Sequence, residues 1–464
     1  MNKAQTEEKL LDLFQDNTEV LIAYYILKNT DIPVFVTGKA GTGKSTFIRL
    51  AQTVSKTICE VVAPTGVAAL NVNGKTVHSL FHLPNRIMLP NDPSVKEIRF
   101  NGEDEFILVH ADLLIFDEVS MLTSAMLDCI DLILKNVCKS DKPFAGKKVL
   151  FVGDPFQLPP IVNKEDRHKF KSYYASEYFF DADIFEEINP LRIEFKHSYR
   201  QKDNQFLMIL NSIRNRTNLS QTLNKLNRYC YTGVEQSEVP VEVSSINLAF
   251  TNSVADAMNA GRLGKLSGET FTFIAMVQER FRWQSVLVEE RLVLKVGARV
   301  MFVKNHKKGL YVNGTLGIVT EIAQNRIVVV TDDQITIEVE REKWETQEYK
   351  REKVNGKWES SYVEVGSMYQ YPLKLAWAIT VHKSQGLTFD RVHIVKGRGA
   401  FAHGQVYVAL SRCRTLEGLT FDSPLSYTDV QVDKAITAFY ENFEDDRVEQ
   451  VINEVLDVLE TKTE

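Results

Sequence analysis

The sequence predicts an α/β fold of two units, each a parallel β-sheet covered by helices, with a small all-β barrel inserted in the second. Across residues 33–153 short buried-strand runs alternate with helical patterns, and the alternation resumes at Leu191–Phe195, Ile246–Phe250 and Leu373–Ala378. Strands linked by covering helices pair in parallel, so this rhythm specifies the sheets. Between about 291 and 369 the pattern changes to short alternating runs, such as Gly317-Ile318-Val319-Thr320 and Arg326-Ile327-Val328-Val329-Val330, with Gly297 and Asn313-Gly314 at turns. The expected division is therefore a first unit over 1–185 with a small Pro-rich insertion near 77–108. A discontinuous second unit covers 186–290 and 370–440, an all-β insert covers 291–369, and 441–464 forms a C-terminal helix or tail.

With 464 residues, 44% of them hydrophobic, the chain can bury several cores. Apolar positions at Leu10, Leu11, Leu13 and Phe14, then at Val20, Leu21, Tyr24, Tyr25 and Leu27, predict two helices before Pro33. The apolar run Val20–Leu27 is far short of the ~20 residues a membrane span needs, so a soluble, intracellular protein with no membrane partner is expected. The five cysteines are odd in number and lack C-x-x-C spacing, which points to reduced thiols used in packing. His78 and His82 stand four apart, but no third ligand completes a zinc site.

A net charge of −6 gives no global attraction to a polyanion, so any nucleic acid must be held by local basic patches. Arg291, Lys295, Arg299, Lys304, Lys307 and Lys308 form one such stretch without an intervening acid; a solvated face explains it equally well. Residues 378–414 are also basic, with Asp390 the single acid.

Gly38-Lys39-Ala40-Gly41-Thr42-Gly43-Lys44-Ser45 reads G-x-x-x-x-G-K-S, between the β-rich run Pro33–Thr37 and a helix that starts with Thr46 and Phe47. Glycines Gly38, Gly41 and Gly43, with Thr42 and Thr46, turn backbone N–H groups onto phosphate oxygens; Lys44 reaches the β and γ phosphates and Ser45 offers a hydroxyl to Mg²⁺. Downstream, the apolar run Leu113–Phe116 ends in Asp117 and Glu118. Behind a phosphate loop that pair reads as an Mg²⁺ ligand, Asp117, and a group that orients or deprotonates the attacking water, Glu118. Lys148–Val152 then leads into Gly153-Asp154-Pro155-Phe156-Gln157, where the Gln157 amide could touch both the γ-phosphate and the water. ATP and Mg²⁺ are the cofactors expected.

These motifs stand in order with Ala63-Pro64-Thr65-Gly66-Val67-Ala68-Ala69, Ser198-Tyr199-Arg200-Gln201, Thr380-Val381-His382-Lys383-Ser384-Gln385-Gly386 and Tyr407-Val408-Ala409-Leu410-Ser411-Arg412. Over about residues 30–420 the chain resembles the Pif-one family of superfamily-one, RecD-like DNA helicases. The resemblance implies two RecA-like P-loop NTPase domains with an SH-three-like barrel in the second, ATP between the domains, and single-stranded DNA across them. It implies that Arg200 and Arg412 come from the second domain onto the γ-phosphate, an effect worth roughly 10³–10⁵ in rate. It also places Gly386 at the nucleotide, Thr65, His78, Asn252, His382 and Lys383 on DNA phosphates, and Phe156 or Trp377 against a base. The expected partners are single-stranded and tailed or structured DNA, the expected direction is 5′→3′, and the protein is expected to be a monomer in solution. No clear glutamine motif precedes the loop; Gln5 and Gln15 both remain open for the adenine. Two other functions stay in view: a DNA-stimulated ATPase switch that does not translocate, and a P-loop kinase for a small molecule.

Overall fold

The computed structural model describes residues 3–84, 86–100, 102–162, 166–200, 203–231, 245–278, 281, 288–306, 308–323, 326–354, 357–441 and 443–460. The chain divides into two compact units, one of residues 1–207, 402–404 and 431–464, the other of residues 208–401 and 405–430.

The first unit begins with α1 (Lys3–Leu13) and α2 (Thr18–Asn29), followed by β1 (Val34–Gly38), α3 (Lys44–Ala51), β2 (Ile58–Ala63), α4 (Gly66–Asn71), β3 (Lys75–Thr76) and α5 (Val77–Leu80). The predicted insertion holds α6 (Ser94–Glu97) and α7 (Glu103–His110). Then come β4 (Ala111–Phe116), α8 (Ser124–Cys138), β5 (Lys148–Val152), α9 (Arg167–Lys171), α10 (Asp183–Ile188) and β6 (Leu191–Phe195). The six strands form one parallel sheet in the order β3-β2-β4-β5-β1-β6. Because side chains alternate along a strand, β1 feeds two cores. Val34 and Val36 join Phe47, Ile48 and Leu50 of α3 and Val20, Tyr24 and Leu27 of α2, whereas Phe35 meets Phe179 and Phe185 on the other face. Asn17 starts α2 by accepting the Val20 N–H at 3.2 Å.

Leu191–Phe195 corrects the expected boundary. It was assigned to the second unit, but as β6 it pairs in parallel with β1, from Val34↔Leu191 to Gly38↔Phe195. Its burial alternates, with Leu191, Ile193 and Phe195 buried and Arg192 and Glu194 half-buried. Alternation of that kind identifies a strand but carries no information about which sheet it joins.

In the second unit come α11 (Asn204–Asn215), in which the unit boundary falls, α12 (Leu219–Cys230), β7 (Ser245–Ala249) and α13 (Asn252–Lys265). The insert supplies β8 (Phe271–Ile274), β9 (Met276–Val277), β10 (Arg291–Leu294), β11 (Arg299–Phe302), β12 (Leu316–Ala323), β13 (Arg326–Thr331), β14 (Thr336–Val339), β15 (Glu342–Val354), β16 (Lys357–Gln370) and β17 (Leu373–Leu375). The unit closes with β18 (Ala378–Thr380), β19 (Arg391–Val395), α14 (Gln405–Ser411) and β20 (Leu419–Phe421). A parallel sheet in the order β18-β7-β19-β20 forms the α/β part. The insert contains an antiparallel sheet, β14-β13-β12-β11-β17, beside the pair β10-β8 and the three strands β15-β16-β9. Its core joins Phe302, Val319, Ile327 and Val329 with Phe273 and Leu373, so the all-β part extends beyond 291–369 on both sides.

The chain then returns to the first unit as α15 (Lys434–Glu441) and α16 (Arg447–Glu460). The sequence reading left these residues to the second unit and to a C-terminal helix or tail. The amphipathic pattern is satisfied instead by the first core, into which Val451 is buried with Val448 and Ile452 beside it.

Candidate active site

The phosphate loop leaves β1 at Gly38 and enters α3 at Lys44, so the helix N-terminus and its open N–H groups face the loop mouth. Gly41 and Gly43 have φ of +81° and +87°, a left-handed backbone that costs other residues about 1–2 kcal/mol. A Cβ on Gly43 would also stand 3.2 Å from Phe14 Cε1 and 3.3 Å from Tyr199 Cε2. Lys44 Nζ donates to the carbonyls of Gly38 (2.5 Å) and Lys39 (3.0 Å), and the Thr42 hydroxyl donates to Lys39 O at 2.9 Å. Ser45 is exposed at the start of α3 and Thr46 is half-buried after it.

Strand order brings the remaining chemistry to this loop. β4, β5 and β1 are neighbours, with Phe116↔Phe151 and Val36↔Val152 in register, so Asp117, Gly153 and Thr37 leave adjacent strands at one sheet edge. Asp117 is buried. Burial and then the charge of Glu118 push its carboxyl up to about 7, against the opposing field of the Lys44 ammonium. Glu118 has φ of +48°, a strained conformation for a residue with a Cβ, and its N–H donates to Asp117 Oδ1 at 2.8 Å. The 118–120 turn passes so close to Gly153 that a Cβ there would stand 2.9 Å from Val119 N. After Gly153, buried Asp154 organises a turn: its carboxylate accepts the Phe156 N–H (3.2 Å) and its carbonyl the Gln157 N–H (2.9 Å). Gln157 is itself buried.

A hydroxyl and a carboxylate are hard oxygen donors of the kind Mg²⁺ takes, and a dication offsets the charge that burial disfavours on Asp117. Among the described residues no group of three or more His, Cys, Asp or Glu side chains could hold a metal. Ser45 and Asp117 are thus suited to an ion completed by nucleotide phosphates and water, as Mg²⁺ usually is.

The segment after β6 folds over the loop. Tyr199 donates its N–H to Gly41 O at 2.8 Å, its hydroxyl accepts from Asn17 Nδ2 at 3.1 Å, and its ring meets Phe14 edge-on at 6.0 Å. Arg200 therefore belongs to the first unit, which corrects its assignment to the second domain; the reason is the pairing of β6 with β1. Gln201 lies outside the described residues. Phe14, Asn17 and Tyr199 were not singled out for the site by the sequence reading, although Asn17 before an apolar run is an N-cap signal.

The comparisons with known proteins agree with this geometry. A PIF1-like helicase model matches residues 14–223, a DNA helicase Pif1 2B-domain model residues 283–322, and a UvrD-like helicase C-terminal domain model residues 375–419. The structure of Bacteroides Pif1 bound to single-stranded DNA is 36% identical, with 95% of this chain and 97% of that chain covered and a TM-score of 0.69. This chain belongs to the PIF1-like helicase family. Bacteroides Pif1 with ADP-AlF4 is likewise 36% identical, at a TM-score of 0.77 over 92% of this chain and 96% of that one. The ATP-dependent DNA helicase PIF1 of Homo sapiens is 30% identical over 453 residues, 92% of this chain. This chain spans 63% of that human relative's length.

The candidate DNA contacts of this PIF1-like chain divide between the units. In the first, the Thr65 hydroxyl accepts the Ala68 N–H at 3.2 Å, and Thr65 and His78 line one cleft of about 420 Å³ with Met121, Met126 and Ile161. Phe156 is a correction: it is buried with its ring against Tyr440 at 4.7 Å, so it does not present a face to a base. In the second, Asn252 is exposed at the start of α13, and His382 stands in the turn after β18 with its ring nearly parallel to exposed Phe401. Burial lowers the pKa of both His78 and His382, which makes them neutral hydrogen-bonding groups at pH 7. Lys383 lies beside Lys374, whose pKa is pushed down to about 8 by burial and by Lys383. The sequence reading missed Lys374, one polar position in an apolar strand. Trp377 is buried in the insert core, which excludes it as a stacking surface. Gly386 has φ of +79° just beyond this turn.

Arg412 is buried within the second unit. Its guanidinium donates to the carbonyls of Val408 (3.1 Å) and Leu387 (3.3 Å) and to Ser411 Oγ (2.9 Å). In this arrangement it braces α14 against the 384–387 turn. Three cations of the insert's basic stretch are likewise held by neighbours within the second unit. Arg299 makes a two-pronged pair with Asp332 at 2.5 and 2.6 Å, Lys295 donates to Leu266 O at 2.8 Å, and Lys304 bonds Glu342 at 3.1 Å and lies over Trp344. Lys307 is outside the described residues.

Proposed function

We propose that this chain is an ATP-dependent DNA helicase that translocates 5′→3′ on single-stranded DNA and unwinds the duplex ahead. The observation that carries the reading is the convergence of Lys44, Asp117, Glu118 and Gln157 at one edge of the parallel sheet. ATP is the phosphoryl donor, and Ser45 and Asp117 would hold Mg²⁺, which would supply positive charge at the phosphates. Lys44 neutralises the developing charge, Glu118 orients or deprotonates water, and Gln157 registers the γ-phosphate. Tyr199 offers a ring to the base beside the loop. Arg200 reaches the phosphates from the first unit. The insert closes as a small SH-three-like barrel, a reading supported by its antiparallel order and single apolar core.

Thr65, His78, Asn252, His382 and Lys383, with Lys374, would grip the DNA backbone, and alternating grip would move the chain once per ATP. The relatives support the substrate: one solved structure concerns forked double-stranded DNA unwound by two coordinating Pif1 helicases. The test is strand release from a duplex with either a 5′ or a 3′ single-stranded tail, in ATP and Mg²⁺. Release from the 5′ tail alone is expected. Release from the 3′ tail reverses the polarity, and DNA-stimulated hydrolysis without release leaves a non-translocating switch.

A further inference from the structure

α15 lies beyond residue 419, where the last family match ends, yet it reaches the nucleotide end of the first sheet. Asp433 caps it by accepting the Ala435 N–H (3.0 Å), and the Tyr178 hydroxyl donates to the same carboxylate (3.2 Å). Phe439 stacks on Phe180 at 4.3 Å, with the Arg192 guanidinium over its ring. The helix is thereby pinned over the turns that lead to Tyr440.

Tyr440 itself meets two strand ends at once. Its hydroxyl is 2.7 Å from Thr37 Oγ1, on the fully buried residue immediately before Gly38 and the phosphate loop. Its ring touches Phe156, the neighbour of Gln157, and stacks on Phe443 at 4.7 Å. The returning chain also backs the same turn: Gly404 N–H donates to Gln431 O, and a Cβ on Gly404 would stand 2.1 Å from Gln157 O. Thr37 and Phe156 leave neighbouring strands, so one side chain sets the spacing between the phosphate loop and the glutamine that faces it.

We infer that Tyr440 is a positioning residue for ATP hydrolysis, holding the Thr37–Gly38 end of the phosphate loop in register with the Phe156–Gln157 turn. The inference rests on the ATPase reading of that site. Tyr440→Phe keeps the ring and removes the hydroxyl; Thr37→Val removes the other partner at nearly constant shape. Each is expected to lower DNA-stimulated kcat by about threefold to tenfold, with the KM for ATP within twofold and the melting temperature lowered by no more than a few degrees. Because the two act through one hydrogen bond, the double variant should be no slower than either single one. Tyr440→Leu, which also loses the Phe156 contact, should be slower still. Unchanged kcat in Tyr440→Phe, multiplying losses in the double variant, or a loss that tracks melting temperature would overturn the inference while the unsubstituted chain hydrolyses ATP. Absence of DNA-stimulated turnover in the unsubstituted chain would instead defeat the ATPase reading and this inference with it.

Discussion

The ammonium of Lys44 stands 2.5 Å from the carbonyl oxygen of Gly38, inside the loop that Lys44 itself closes. It also donates to Lys39 O, which is loop backbone as well. Removing the ammonium should therefore leave the core of the first unit and the cleft lined by Thr65 and His78 in place. Lys44→Ala is expected to lower DNA-stimulated ATP turnover by at least about 10²–10³-fold. Single-strand binding, followed by fluorescence anisotropy, should stay within a few-fold of the parent.

The raised pKa of Asp117 predicts a pH dependence. A carboxyl must be ionised to ligate Mg²⁺, and burial with Glu118 beside it holds this one protonated further up the scale than usual. Mg²⁺-dependent nucleotide binding should therefore strengthen as pH rises through about 7. Titration calorimetry with Mg²⁺ and ADP between pH 6 and 8 tests this, and Asp117→Asn should flatten the profile. The same sign bears on stability. The folded state favours the protonated acid, so without metal this group's contribution is full below the ordinary carboxylate range, falls as pH rises from there and is lost once pH passes about 7.

Arg299 is buried in the insert and answered by Asp332 in two hydrogen bonds. Truncating the acid leaves a buried charge without its partner. Asp332→Ala should cost about 3 kcal/mol or more in denaturant unfolding of the second unit. A loss below about 1 kcal/mol would mean that the pair behaves as an exposed one.

Lysines of the second unit should separate by role in the salt dependence of DNA binding. Lys383→Ala and Lys374→Ala should each reduce the slope of log Kd against log salt by about 0.7, the value for one single-strand phosphate contact. Lys304→Ala should leave that slope unchanged, because its ammonium is already held by Glu342 and Trp344.

The phosphate loop, the Asp117-Glu118 pair and the Gly153–Gln157 turn were legible in the sequence because each is local. A glycine at positive φ, a helix N-terminus or a strand ending in acid is specified within a few residues. Their convergence followed from βα alternation, which sends the strands of one sheet in the same direction. Asp128 lies in α8, the helix after the carboxylates. It accepts hydrogen bonds from Tyr174 and from the Ile184 N–H, a staple that no local pattern announces.

Residue types and spacing by themselves determined that this chain builds phosphate chemistry on a parallel sheet, since that chemistry needs particular groups within one short loop and at two strand ends. Only the tertiary structure decided that β6 is the edge of the first sheet and Arg200 thus part of the first unit. It also decided that Phe156 is packed inward, Arg299 is paired and α15 brings Tyr440 to Thr37 across 403 positions of sequence. The physical reason is common to all five. An alternating strand, an aromatic ring or a charge has the same local signature wherever it lies, and its environment is set by a partner distant in the chain.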